Sequence, residues 1–390
     1  MRINTAARLR RLPPYLFAEL DRLKKEVQKS GVDVISLGIG DPDLPTPAPI
    51  VARLQEAARD PANHRYPDYQ GLERLRQAAT DWYARRFGVA IDPAAQVCAL
   101  IGSKEGIANF ATALVDPGDI VLIPDPGYPV YYAGCVFNGG EPYSMPLSRQ
   151  NGFLPDFGAI PEAVARRAKL MWLNYPNNPT AATAEPGFFR AAVDYCLGNE
   201  IVLAHDCAYS EIAFDGYRAP SLLATPGALE CAVEFHSLSK TFSMTGWRVG
   251  FAAGNAELVA ALGTVKTNVD SGVFQAVQEA AITALGGPDR ELRRQCDIYQ
   301  RRRDRALETL WACGLACDRP KATFYLWVAV PQGFNSAGFA RHLLEKCGVV
   351  VTPGSGFGRH GEGFIRLSLT VADERLDQAL ARLKALQLSS

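Results

Sequence analysis

One lysine, Lys240, stands among hydroxyl residues in the stretch His236–Arg248 (HSLSKTFSMTGWR), and Arg248 follows it eight positions later. Ser237 and Ser239 flank the lysine. Hydroxyls with an arginine form the donor set that a phosphate monoester needs, because a guanidinium gives two parallel charge-assisted bonds. A lysine beside them is placed to condense with an aldehyde. Upstream, Asp206 follows the apolar run Ile201–Ala204, where a carboxylate requires a cationic partner or several donors. Tyr209 lies three residues further on, Tyr128 sits in PDPGYPVYY and Asn178 in NYPNNPT. A phosphate site, an aldehyde-binding lysine, a buried carboxylate and a flat aromatic surface are together what pyridoxal 5'-phosphate needs. Asp206 would raise the pKa of its ring nitrogen by charge pairing. Tyr209 and Asn178 offer donors to its phenolate oxygen, and Tyr128 offers a ring face.

Each fragment alone has a plainer reading. Ser103 in GSKEG is an ordinary helix N-cap, although the same free amides suit an anion. NYPNNPT is a turn sequence, Tyr128 between prolines is a packing residue, and a lone Lys240 would be a solvated loop lysine. The weight lies in their order along the chain. Apolar runs of strand length recur at Val97–Ile101, Ile120–Ile123, Leu170–Leu173, Ile201–Ala204, Ala232–Phe235 and Val249–Ala253. Helical patterns such as Glu105–Val115 and Gly187–Leu197 separate several of them. Buried strands alternating with helices predict an α/β fold with a mostly parallel sheet covered on both faces. In such sheets ligands sit beyond the carboxyl ends of the strands. Five strand ends carry, in turn, Ser103 with Lys104, Tyr128, Asn178, Asp206 with Tyr209, and Lys240 with Arg248.

After Asn255 the pattern changes to long helices (Gln275–Leu285, Glu291–Leu310) and two β-like runs, Thr323–Val330 and Phe364–Leu369. Helices Ser336–Lys346 and Asp373–Leu386 surround those runs, which predicts a smaller α+β domain. The N-terminal forty residues hold one helix, Phe17–Gln28, and a Gly/Pro-rich exit, GIGDPDLPTP. They are too few for a core, so they pack on the small domain or on a partner chain. The expected division is an arm with part of the small domain over 1–45, a large domain over 46–285 and a small domain over 286–390. With 390 residues, two domains are the default.

Forty-one basic and 41 acidic residues give a formal charge of zero, which argues against a broad nucleic-acid or acidic-membrane footprint. Nine scattered cysteines, with no CxxC pair, fit reduced thiols in a cytoplasmic protein better than a metal or disulfide framework. No segment has the length of uninterrupted apolar residues that a membrane span requires.

NNPT, then D-x-A-Y, then S-x-S-K with an arginine eight residues after the lysine, resemble the class I/II aminotransferases of pyridoxal-phosphate fold type I. More narrowly, PPYLF, LGIGDPDLPTP, HRYPDYQGL, GSKEGIANF and NVDSGVFQAVQEA are similar to the LL-diaminopimelate aminotransferases. The resemblance spans the chain and implies a seven-stranded, mostly parallel sheet in the large domain and a ping-pong exchange between an amino acid and a 2-oxo acid. It implies that Lys240 forms the Schiff base and shuttles the proton, that Asp206 pairs with the pyridinium, and that Tyr209 and Asn178 bond the 3'-oxygen. The phosphate would be held by the Ser103 and Lys104 amides with Ser237, Ser239 and Arg248, and Tyr128 would stack on the ring. Arg366 would grip the substrate carboxylate, with the Gly40 amide beside it, and Asn178, Tyr15 and Asn268 would contact substrate. Tyr66 would reach the neighbour's phosphate in a homodimer. The family carries glycine after NPT, where this chain has Ala181; if the position needs φ > 0, alanine is strained there.

Three other readings compete. Ser237-Leu-Ser-Lys240 fits the S-x-x-K signature of penicillin-binding proteins, but S-D-N and K-T-G are missing from the chain. A cofactor-sensing regulator would carry a DNA-binding module, for which the N-terminal arm is too short. A β-lyase, or an aminotransferase for aspartate, alanine or aromatic amino acids, would use the same Lys240.

Overall fold

The structure, a computed structural model, describes residues 3–13, 16–29 and 31–386, with the backbone alone for 16–21 and 23. Its strands are β1 (Ile35–Ser36), β2 (Val97–Leu100), β3 (Ile120–Asp125), β4 (Glu141–Pro146), β5 (Ala168–Asn174), β6 (Val202–Asp206), β7 (Ala232–Ser237), β8 (Gly250–Gly254), β9 (Tyr325–Ala329), β10 (Val349–Val350), β11 (Thr352–Pro353) and β12 (Phe364–Ser368).

Seven strands form one sheet in the order β2-β8-β7-β6-β5-β3-β4. All run parallel except β8, which is antiparallel to both its neighbours. Successive side chains on a strand point to opposite faces. Cys98, Leu100, Leu170 and Trp172 therefore pack with Ile107, Phe110 and Val259, from helices Ser103–Leu114 and Ala256–Val269. Val97, Ala99, Met171 and Leu173 pack on the other side with Leu75, Tyr83, Phe189 and Ala280, from helices Glu73–Phe87, Pro186–Gly198 and Gln275–Gly286. Burial on both faces is why these strands read as continuous apolar runs.

Two departures from the sequence expectation have physical reasons. Strand β4 (EPYSMP) is polar, carries two prolines and was not anticipated; it lies at the sheet edge, where one side needs no ladder and proline is tolerated. Strand β8 returns the chain antiparallel to β7, so Arg248 precedes a strand rather than following one.

A second cluster is built around the antiparallel strands β11-β12-β9, with Phe339, Leu343, Leu376 and Leu380 from helices Ser336–Cys347 and Asp373–Ala385. Ile35 and Leu37 join it, and β1 pairs in parallel with β10. Ala208, Tyr209, Ile212 and Phe214, which follow β6, also pack into this cluster. The long helix Arg290–Ala312 braces the assembly: Arg302 bonds Asp43 and Asp373, both at 2.8 Å. Among the described residues, no helix is long and apolar enough to cross a membrane.

Candidate active site

The register of β2, β8 and β7 decides where the candidate phosphate donors meet. Gly250 pairs with Leu100 on one side and with Ser237 on the other. The start of helix Ser103–Leu114, the hydroxyls after β7 and Arg248 before β8 thus come to one sheet edge. Arg248 has a left-handed backbone (φ 55°) and donates to the Thr245 carbonyl at 2.8 Å. Gly102, at φ 75°, caps the helix, and a Cβ there would run into the Arg248 guanidinium. Only glycine lets the chain pass so close. Ser237 Oγ accepts from the Ser239 amide at 3.3 Å. Glu105, in the first turn of this helix, would oppose an anion, but buried Lys266 pairs with both its oxygens at 3.1 Å.

Next to these donors lies a cavity of about 420 Å³ lined by Lys240, Asp206, Tyr209, Tyr128, Asn178 and Arg366, with Ser103, Lys104, Ser237, Ser239, Arg248 and Gly40 on its wall. Lys240 Nζ donates to the Gly40 carbonyl at 3.0 Å. Burial pulls its pKa down to about 8, Arg366 and Arg248 adding to the effect and Asp41 opposing it. Asp206 ends β6, buried; its Oδ2 accepts from Tyr131 Oη at 2.7 Å, while Oδ1 has no hydrogen bond of good geometry. Burial raises the carboxyl's pKa, against the Tyr131 bond, the charge of His205 and the amide of Ala208. Tyr209 Oη lies 3.0 Å from Tyr325 Oη, and burial lifts the Tyr209 phenol well above its usual range.

Arg366, on β12, is buried; it donates to Asn178 Oδ1 at 2.6 Å and to the Gly38 carbonyl at 2.7 Å. Its guanidinium lies over the Tyr325 ring at 4.2 Å and the Phe357 ring at 4.7 Å. Asn178 is held by its own amide donating to Asn174 Oδ1 at 2.8 Å. Ala181 adopts φ 59°, the left-handed conformation that favours glycine.

This arrangement fits pyridoxal phosphate on the structure's own terms. A buried carboxylate oxygen lies without a well-formed bond, Gly102 gives the Arg248 guanidinium room at the start of a helix, and a lysine of lowered pKa lines the same cavity. When bound, the cofactor supplies an amine-reactive aldehyde and an electron-poor ring that accepts the electron pair released at the substrate Cα.

The aminotransferase class I and II family model matches residues 32–383. The chain belongs to the class I and II aminotransferases. It is 54% identical over 382 residues to the LL-diaminopimelate aminotransferase of Moorella thermoacetica, covering 98% of each chain. It is 55% identical over 381 residues to that of Aquifex aeolicus, again with 98% of each covered. The substrate-bound structure of BacF from Bacillus subtilis superposes with a TM-score of 0.95 at 38% identity, covering 100% of both chains. The protein is a pyridoxal-phosphate-dependent transaminase, as the sequence resemblance implied.

Two residues named from the sequence stand apart from this aminotransferase's own cavity. Tyr66 is 86% exposed, and Asn268 is exposed with Nδ2 donating to the Thr264 carbonyl at 2.8 Å. Their segments are neighbours, since Gln275 donates to the Arg65 carbonyl at 3.2 Å. Tyr15 lies outside the described residues. Conversely, Tyr131, Asn174 and Tyr325 touch the site residues and were not singled out. Tyr131 had a signal, its spacing of three from Tyr128 in a helix opened by Pro129, which turns both rings to one side.

Proposed function

We propose that this aminotransferase moves the amino group of LL-diaminopimelate to 2-oxoglutarate, with the biosynthesis of lysine as its setting. The observation that carries the donor assignment is a second cavity, about 1120 Å³, that shares Lys104 and Tyr128 as wall residues with the cofactor cavity. Arg11, Arg341 and Arg359 lie along it. A long donor with a distal carboxylate has both the room and the counter-charge there, and the names of the relatives agree with that donor. Within the site, Lys240 Nζ would hold the aldehyde and serve as the proton carrier, and Asp206 would pair with the ring nitrogen. Tyr209 and Asn178 bond the 3'-oxygen and Tyr128 covers the ring. Ser103 and Lys104, by their amides, hold the phosphate with Ser237, Ser239 and Arg248. Arg366 orients the α-carboxylate, together with the Gly40 amide.

The same reading includes a homodimer in which Tyr66 and Asn268 complete the neighbour's site. Its support is the exposed cluster of Tyr66, Tyr69, Val269 and Phe274. Nine free cysteines support a cytoplasmic setting. We further divide the chain into an arm and part of the small domain over 1–45, a large domain over 46–285 and a small domain over 286–390, the separate hydrophobic clusters supporting the division. The deciding experiment is an amino-donor screen with 2-oxoglutarate as acceptor, covering LL-diaminopimelate, glutamate, aspartate, alanine and aromatic amino acids. The highest kcat/KM should belong to LL-diaminopimelate; a higher value for any other donor refutes the assignment.

A further inference from the structure

Tyr131 lies in the first turn of helix Pro129–Phe137, and its hydroxyl is the one side-chain donor that reaches Asp206 among the described residues. The bond spans 2.7 Å between two buried groups. The ring is itself fixed: it stacks on Trp172 of β5, with centroids 5.1 Å apart and planes 17° from parallel. Tyr128, three residues earlier, meets it edge-on at 6.0 Å. Asp206 thus has one oxygen engaged from behind and the other, Oδ1, buried without a well-formed bond.

We propose that Tyr131 is a positioning residue for the cofactor, holding Asp206 ionised and turned so that Oδ1 is left for the ring nitrogen. A carboxylate brought into a dry site without donors takes up a proton and can no longer pair with a pyridinium. A phenol is suited to prevent that. It donates while remaining neutral, and burial keeps the Tyr131 hydroxyl protonated far above its ordinary range. A cation in the same place would hold the carboxylate ionised too, but would compete with the pyridinium for its charge. The stacked Trp172 leaves the tyrosine ring little freedom to swing away.

The test is Y131F, which keeps the ring and its stacking and deletes the donor. Cofactor-free protein is titrated with pyridoxal phosphate and, separately, with the analogue carrying carbon in place of the ring nitrogen. Losing a hydrogen bond to a charged group corresponds to roughly a 10- to 100-fold loss of affinity. The Kd for pyridoxal phosphate should rise by that factor in Y131F, while the Kd for the carbon analogue should stay within about twofold of wild type. A purely structural role would weaken both ligands equally, and that outcome, or no change for either, overturns the proposal. A second readout is the nitrogen-15 shift of the ring nitrogen in labelled, bound cofactor. It should lie in the protonated range in the wild-type enzyme and move toward neutral pyridine in Y131F; an unmoved shift also overturns it.

Discussion

Arg366 Nη1 donates to Asn178 Oδ1 across 2.6 Å, so a strand of the small cluster grips the loop that follows β5 of the large sheet. The same guanidinium lies over the rings of Tyr325 and Phe357, which leaves it one orientation. Arg366→Lys keeps the charge but loses the planar fork. We predict a fall in kcat/KM of about 100-fold or more for the amino donor, with cofactor absorbance retained. Steady-state kinetics on the loaded variant checks it, and equal rates with amines lacking a carboxylate would remove the assignment.

Lys240 sets a pH dependence in the cofactor-free protein. Its pKa is about 8 when folded, against an ordinary 10.5. Between these values the unfolded chain keeps a proton that the folded chain has released, so stability rises with pH through that window. Below it both states are protonated, and the fold carries the cost of an ammonium group in a partly dry cavity. Measured against Lys240→Met, the wild-type unfolding free energy should climb by an amount on the order of a few kcal/mol across the window. A difference curve flat in pH would sink the prediction.

Asp125, at the end of β3, accepts from the His360 amide at 3.1 Å and from His360 Nδ1 at 2.9 Å. The Gly127 amide donates to the Phe357 carbonyl at 2.8 Å. These bonds fasten the segment that carries Tyr128 to the one that leads into β12. His360→Ala should raise the donor KM about fivefold, the equivalent of about one hydrogen bond, and leave cofactor affinity as it was. Asp125→Ala, which removes both acceptors, should have the larger effect on KM.

For the shared site, equal amounts of Lys240→Ala and Tyr66→Phe chains are mixed and allowed to exchange. Half the dimers become hybrids with one intact site each, so activity should return to roughly a quarter of wild type. Exchange without recovery, verified by native mass spectrometry, would show that Tyr66 does not serve its neighbour.

Ala181, buried at φ 59°, supplies a stability test. Glycine would relieve about 1–2 kcal/mol of left-handed strain. It would also lose about 0.8 kcal/mol of methyl burial and add comparable freedom to the unfolded chain. Ala181→Gly should therefore fall within about 0.5 kcal/mol of wild type by denaturant unfolding.

Lys240, Arg248, Ser237 and Asp206 were legible because each sits next to a buried strand, so that local pattern and chemistry coincide. The bond from Tyr131 to Asp206 was not, since the two lie 75 residues apart and only the packing of a helix on the sheet joins them. Glu234 was hidden in another way. It falls inside the run Ala232–Phe235, and it lies fully buried beside His205 at 2.8 Å, with Ser221 Oγ at 2.5 Å and Tyr83 Oη at 2.9 Å. The β6–β7 register places His205 opposite it, and register is set by the whole sheet. The roles proposed for Tyr66 and Asn268 rest on resemblance alone, because nothing in their local pattern bears on service to another chain.

The reversed strand β8 makes the interval between lysine and arginine a ruler. Ser237 and Gly250 are paired across the sheet, so the segment Leu238–Val249 leaves and re-enters at fixed posts, with Leu238 donating to the Val249 carbonyl at 3.3 Å. Lys240 and Arg248, the groups proposed to take the aldehyde and the phosphate, both ride on this one closed excursion. Lengthening it by a residue would not simply loosen a loop; it would change the span over which a single small molecule is held at both ends. Because Thr241, Ser243 and Met244 are buried, an insertion between Lys240 and Arg248 should lower both stability and cofactor retention, unlike one in an exposed surface loop.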